Sequence, residues 1–381
     1  MNPNVKAIVR AARRGYLRMS NRLDGYDPVG AGTVPKSLTV CTNDACRVCQ
    51  PARSIGSPFR IVYLLPSDNT PSGGNKVSYR HIELICEQGV PCFAFHPEKP
   101  RASYSWFPHR VKTLPLGHFD PRHDFLVIPE VWAALAAKFC LPAGLRYAIW
   151  VQNGFLAHIS AGFEQSVVRE AYRNADLVLC VSSHASEMTS LIHPFVSREK
   201  ILRLFLSVPP RFTPGTKERL ISYMPRKLRP HSERLCLYLD NALPDGWQLQ
   251  AIDNLDEDGV VAVMARSSIF LSFSDLEGYG LPPLEAALAG NIVVGYTGEA
   301  GKEYFRPPIF REVPSGDLLL YVEKVRSAIE DAEHKASLRP EFLDQAKELA
   351  RAHSQENESA HLATFVERVR HIMRNSAAPR S

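Results

Sequence analysis

From residue 58 onward the chain alternates between short apolar runs and longer amphipathic ones. "RIVYLLPSD", "PCFAFH", "DFLVIPEV", "LRYAIWVQN", "DLVLCVS" and "ILRLF" are nearly unbroken apolar stretches. Runs of that length predict strands buried on both faces. Helical periodicity fills most of the gaps: from Lys76 to about Gln88, and in "FEQSVVREAYRNA" and "SHASEMTSLIH". Such alternation predicts a parallel sheet covered by helices on both sides. "LSVPPRFTPGTK", Leu206 to Lys217, then crowds prolines together and reads as an interdomain linker.

A second series follows. Strands are expected at "RLISYMP", "WQLQAI", "IFLSFS" and "IVVGYT", and helices near "HSERLCLYLDNAL", in "DGVVAVMARS", and from Asp317 to about Ala332. A charged helical stretch runs from about Pro340 to Arg374. The pattern predicts two doubly wound α/β domains, residues 58–208 and 209–381, closing around a ligand at the carboxyl ends of both sheets.

Residues 1–57 differ. Val5, Ile8, Val9, Ala12, Tyr16, Met19 and Leu23 recur mostly at three- and four-residue steps. Lys6, Arg10, Arg13, Arg14, Arg18 and Arg22 fall mostly between them, so a helix here is basic and amphipathic. It suits an anionic membrane surface, where each cation contributes about 1 kcal/mol at most; an exposed helix packed on the body and a transit peptide are the alternatives. Residues 24–57, rich in Gly, Pro, Ser and Thr, read as an irregular arm.

Charge sharpens that division. The chain carries a net +5, but without the six cations of residues 1–23 it has 39 basic against 40 acidic residues. A neutral body argues against nucleic acid as a partner. No apolar run is long enough to span a bilayer, and no secretory signal is present, so the expected place is the cytoplasm, peripheral on the inner face of the plasma membrane. Cys41, Cys46 and Cys49 have the spacing of part of a metal or iron–sulfur site, with Cys86 or Cys92 as distant fourth ligands. The small residues of a ferredoxin loop are missing, and chance or a local structural role is the expectation. "DNLDEDG", Asp253 to Gly259, lacks the glutamate of a calcium loop and reads as a helix cap.

The most informative stretch is "SDLEGYGLPPLEAALAGN", Ser274 to Asn291. It follows a predicted strand, where such folds bind ligands. Pro282 and Pro283 suit a first helical turn, which leaves Gly278, Tyr279, Gly280 and Leu281 as a bare backbone loop at a helix N-terminus. Such an end attracts phosphate. Glu277 and Glu285 would repel it unless they face neutral hydroxyls, so sugar hydroxyls are their expected partners. A dinucleotide fingerprint is a poor alternative, because Pro283 stands where its third glycine belongs.

"EGYGLPPLE" resembles the E-x7-E motif of retaining glycosyltransferases of GT-B fold, glycosyltransferase family 4 in particular. The resemblance implies that Glu285 binds the ribose of a nucleoside diphosphate sugar, Glu277 the transferred sugar, and the amides of Tyr279 to Leu281 the diphosphate. "SGGN", with Gly74, resembles the glycine loop reaching the donor from the first domain. "ISYMPRK" supplies Arg226 at the family's arginine; His231 replaces its lysine, which leaves Lys227 or Arg229 to provide the second cation. "MPRK" with "VIPE" also resembles rhamnosyltransferases of surface-polysaccharide assembly. No metal or cofactor is implied. The acceptor, a glycan or glycolipid, is expected near Gln152, Asn153 and His158, just beyond a strand end. An epimerase of the same fold, or a degenerate transferase serving as a scaffold, are the competing readings.

Overall fold

The computed structural model describes residues 34–41, 58–69, 71–99, 102–157, 165–240 and 242–375. The basic segment 1–23, Cys46, Cys49 and His158 lie outside them. Thirteen strands are present among these residues. β1 (Leu38–Val40) and β4 (Gly117–Phe119) pair as a small parallel ribbon.

β2 (Arg60–Leu64), β3 (Cys92–Phe95), β5 (Asp124–Pro129), β6 (Arg146–Val151), β7 (Leu177–Cys180) and β8 (Ile201–Arg203) form an all-parallel sheet in the order β3-β2-β5-β6-β7-β8. Helices α1 (Gly73–Glu87), α2 (Gln165–Asn174) and α3 (Ser183–Ile192) cover it. Every residue of β2 and β5 is buried, as expected of strands sandwiched between helices. The polar exceptions satisfy one another. Arg60 donates through Nε to Asp124 Oδ1 at 2.5 Å and through Nη2 to Asp124 Oδ2 at 2.9 Å.

The second sheet has the order β10-β9-β11-β12-β13, built from β9 (Glu218–Tyr223), β10 (Gln248–Ala251), β11 (Ser267–Glu277), β12 (Ile292–Glu299) and β13 (Phe310–Glu312), again all parallel. Around it lie α4 (Arg229–Asp240), α5 (Glu257–Arg266), α6 (Leu281–Leu288) and α7 (Leu318–Glu333). In each sheet the strand order reverses beside the first strand of the series, between β2 and β5 and between β9 and β11. Loops leaving those strands diverge there and open a crevice.

Two covalent crossings join the halves. The first is the proline-rich segment after β8. The second leads from α8 (Pro340–Ala352) into α9 (Gln355–Asn375), which packs back against α1 of the first domain. Phe365 meets Phe125 edge-on, and Gln88 Nε2 donates to the Ser359 carbonyl at 2.8 Å. Glu358 is fully buried there, accepting from Ser207 Oγ and facing Arg80 and His81. Burial pushes its carboxyl up, but His81, Arg80 and the Ser207 hydroxyl outweigh that and hold it below the usual range.

β1 falls within residues 24–57, expected as an irregular arm, because pairing with β4 organises it; two boundaries beside the cleft also depart from the periodicity. α1 begins at Gly73 rather than Lys76, because glycines carry no apolar signal yet adopt helical geometry after extended Ser72. β11 continues past Ser274 to Glu277, through a register irregularity against β12. Asp256 caps α5, accepting from Gly259 N at 2.9 Å, as its sequence context predicts.

Candidate active site

The carboxyl ends of β9 and β11 place the two loops singled out by sequence beside each other. At the end of β11, Leu276 has φ +38°, a left-handed conformation that leucine rarely adopts. Its carbonyl accepts Nδ2 of Asn153 at 2.8 Å, a bond between the two domains. Gly278 comes next but one. A Cβ there would lie 1.7 Å from the Gln152 carbonyl oxygen, so only glycine permits this approach of the two backbones. Gly280, at φ +84°, turns the chain into α6. Tyr304 is buried behind the turn, its hydroxyl donating to the carbonyls of Tyr279 (3.2 Å) and Gly280. Tyr279 in turn donates to His353 Nε2 at 2.5 Å, since Nδ1 of that ring is spent on the Leu349 carbonyl.

Pro282 and Pro283 occupy the first turn of α6 and bring no N–H groups. Donors at this positive end are therefore those of the Gly280–Leu281 turn. Glu285 sits a full turn inside the helix, not in its first turn, so the helix dipole gives little reason for a carboxylate there. It is half-buried, and burial pushes its carboxyl up to about 7 against the opposing charges of Lys76 and Arg80 from α1. Lys76 forms an ion pair across the cleft with Glu257 of α5.

Lys227, in the loop after β9, reaches Glu277 with Nζ 2.7 Å from Oε1, and both side chains remain partly open to solvent. Arg229 instead pairs with Glu233, one turn along α4. Of the two candidates for the second cation, it is Lys227 that lies at Glu277. Arg226 is exposed at the same turn. His231 donates to or accepts from the Tyr296 hydroxyl at 3.1 Å. Asp275 has its carboxyl raised, first by burial and then by the charge of Glu277, with Lys227 and His231 opposing. Lys227, His231, Asp275 and Glu277 thus share one electrostatic neighbourhood.

On the opposing wall Gly74 lies in the first turn of α1. Its carbonyl accepts Gln152 Nε2 at 2.8 Å, and a Cβ on it would meet Gln152 Oε1 at 2.5 Å. Asn153 accepts from Phe155 N at 3.0 Å, while its own N–H is held by Glu130 Oε1 at 2.9 Å. Lys76 and Tyr304 belong to this constellation without any motif pointing to them; Asp275 lies inside the stretch Ser274–Asn291 and Glu130 is the acid of "VIPE", but the sequence assigned neither a role. Among the described residues no group of three or more His, Cys, Asp or Glu is placed to hold a metal, and no helix is long and apolar enough to cross a membrane.

Two Rossmann-like domains facing a cleft, with these loops at its switch points, define a GT-B fold, and the solved structures that resemble the chain have it. The Anabaena protein HepE in complex with UDP-glucose superposes with a TM-score of 0.61 at 12% identity, covering 81% of this chain and 99% of that one. Sucrose-phosphate synthase of Thermosynechococcus elongatus gives 0.59 at 11% identity, covering 82% and 100%. In sequence, the chain is similar to an alpha-1,6-glucosyltransferase of Actinobacillus pleuropneumoniae serotype 7, 24% identical over 226 residues. That match takes in 55% of this chain and 64% of the relative, so it spans less than two thirds of the relative's length. No family model matches.

Proposed function

We propose that the protein is a retaining glycosyltransferase of the family 4 type. It would move a hexose from a nucleoside diphosphate sugar to a glycan or glycolipid of surface-polysaccharide assembly. The observation that carries this reading is the Lys227–Glu277 pair at the mouth of α6, at the switch point of the second sheet. A carboxylate and an ammonium side by side at a helix N-terminus serve two neighbouring groups, one neutral and hydroxylated, one anionic. The similarity to a glucosyltransferase, and the UDP-glucose held by a structural neighbour, agree with a sugar and a diphosphate in those roles.

In this reading Lys227 leaves Glu277 for the diphosphate when the donor binds, with Arg226 and the Gly278–Leu281 backbone beside it. These groups stabilise the charge that builds on the leaving diphosphate, the task a metal performs elsewhere. Glu277, released, accepts from a hydroxyl of the transferred sugar. Glu285, raised toward neutrality, binds the ribose hydroxyls. The leaving phosphate takes the acceptor's proton on the same face, so configuration is retained without a protein base. A basic segment 1–23 resting on anionic lipid would bring the cleft to a lipid-linked acceptor.

The test is a donor screen by thermal shift, since ligand binding to the folded state raises its stability, followed by release of nucleoside diphosphate with and without a chelator. Binding of at least one donor, chelator-resistant release, loss of release in Glu277→Ala, and an axial or equatorial product matching the donor by NMR are expected. No binding across the common donors sinks the enzymatic reading. Co-sedimentation with anionic vesicles that survives deletion of residues 1–23 sinks the membrane role.

A further inference from the structure

We propose that Glu130 is a positioning residue which, acting through Asn153, sets the loop that carries Glu277. The functional meaning rests on the transfer reading above, but the relay itself requires no donor. Glu130 follows β5 at the cleft end of the first sheet and is 2% exposed. Its Oε1 accepts the Asn153 N–H at 2.9 Å, and its Oε2 is buried without a hydrogen-bond partner. A half-satisfied carboxylate in a core is unfavourable, and an apolar side chain of similar volume would fill the space without that penalty. Packing alone therefore gives no reason for an acid here; the bond to Asn153 does.

Asn153 carries the constraint across the cleft. Its Oδ1 is committed to Phe155 N at 3.0 Å, which fixes the orientation of the amide and leaves Nδ2 to donate to the Leu276 carbonyl at 2.8 Å. Leu276 is the residue held at φ +38°, and Glu277 is its neighbour in the chain. A strained peptide relaxes when its tether is lost, and that movement would carry Glu277 away from Lys227. Three links thus join a core acid of one domain to the carboxylate on the other.

The relay is sensitive to protonation, because an ionised carboxylate accepts an N–H more strongly than a neutral acid does. Burial pushes Glu130 up to about 7, opposed by the backbone N–H groups of Glu130, Gln152 and Asn153. The titratable groups that feel its charge are Tyr172 of α2 and Cys180 of β7; burial first and then Glu130 raise both, so each stays neutral around pH 7. His193 stacks on the Tyr172 ring at 3.8 Å. Tightening of the relay is therefore expected as pH rises through about 7.

Hydrogen–deuterium exchange of the full chain without ligand reads this directly, as protection factors of the 276–281 amides about one unit below and above that pH. In the wild type, protection should rise about tenfold across the interval, the effect of one hydrogen bond gained. Glu130→Gln keeps an acceptor for Asn153 but cannot ionise, so its protection should not change with pH. Asn153→Ala should lose about tenfold at both pH values while its melting temperature stays close to that of the wild type. With a donor that turns over, both variants should lower kcat more than they raise KM, and the pH limb near neutrality should vanish in Glu130→Gln. The same pH dependence in Glu130→Gln as in the wild type, or unaltered protection in Asn153→Ala, overturns the proposal. A wild type that transfers no sugar but shows the exchange pattern overturns the transfer reading and leaves the relay standing.

Discussion

Gly278→Ala puts a methyl carbon 1.7 Å from the Gln152 carbonyl oxygen and 3.0 Å from Asn153 Cα. Non-bonded Cβ atoms essentially never come within 3.0 Å of a neighbour, so the two backbones must part by more than an ångström. Neither side yields easily within its own domain. β11 is paired with β9 and β12, and Gln152 is held by bonds from Nε2 to Gly74 O and Ser78 Oγ at 2.8 and 2.9 Å. The contact lies between domains, so the soft coordinate is the hinge, and the variant should open the cleft rather than unfold. Misplacing reacting groups by about 1 Å costs roughly a hundredfold in rate, and that is the expected loss of transfer. The melting temperature should fall by no more than about 2–4 °C, equivalent to about 1 kcal/mol. Transfer kinetics, calorimetry and the radius of gyration from small-angle scattering measure the three quantities. Wild-type transfer with an unchanged radius would refute the close-approach argument, and a collapse of the melting temperature would show that the contact belongs to a folding core.

Other substitutions probe the rest of the site. Lys227→Met and Glu277→Gln should each lower kcat by about 10²–10³-fold, and the double variant by far less than their product, because each acts through the other; additive losses argue against a shared role. Tyr304→Phe removes the hydroxyl that holds the Tyr279 and Gly280 carbonyls, and chemical denaturation should register a loss of about 1–2 kcal/mol together with weaker donor binding. Lys217→Met deprives the carbonyls of Ser267 (2.8 Å) and Ala289 (2.5 Å) of their shared ammonium, with an expected loss of roughly 2–3 kcal/mol by the same measurement. Glu130 and Glu285 both have folded-state values raised to about 7, so the native protein holds protons that the unfolded chain has released. Stability should consequently decline as pH rises from the ordinary carboxylate range to about 7, by up to roughly 3 kcal/mol for buried Glu130, and level off above it. Urea midpoints across that range should flatten in Glu130→Gln and Glu285→Gln; an undiminished slope in both would place the titration elsewhere.

Sequence by itself determined the two α/β halves, because apolar runs too long to alternate and helices of regular period leave a parallel, covered sheet as the consistent packing. It also marked the Ser274–Asn291 loop as a candidate ligand site, since a strand end, glycines and a Pro-Pro helix start are local signals. What it could not see is whatever joins residues far apart in the chain. That Gly278 answers to the Gln152 carbonyl, that Lys227 rather than Arg229 meets Glu277, and that α9 returns to the first domain are decided by tertiary contacts alone. Glu130 is the sharpest instance. In sequence it is one acid after an apolar strand, and its chemistry comes from the burial and the backbone N–H groups, that of Asn153 above all, that the fold brings to it.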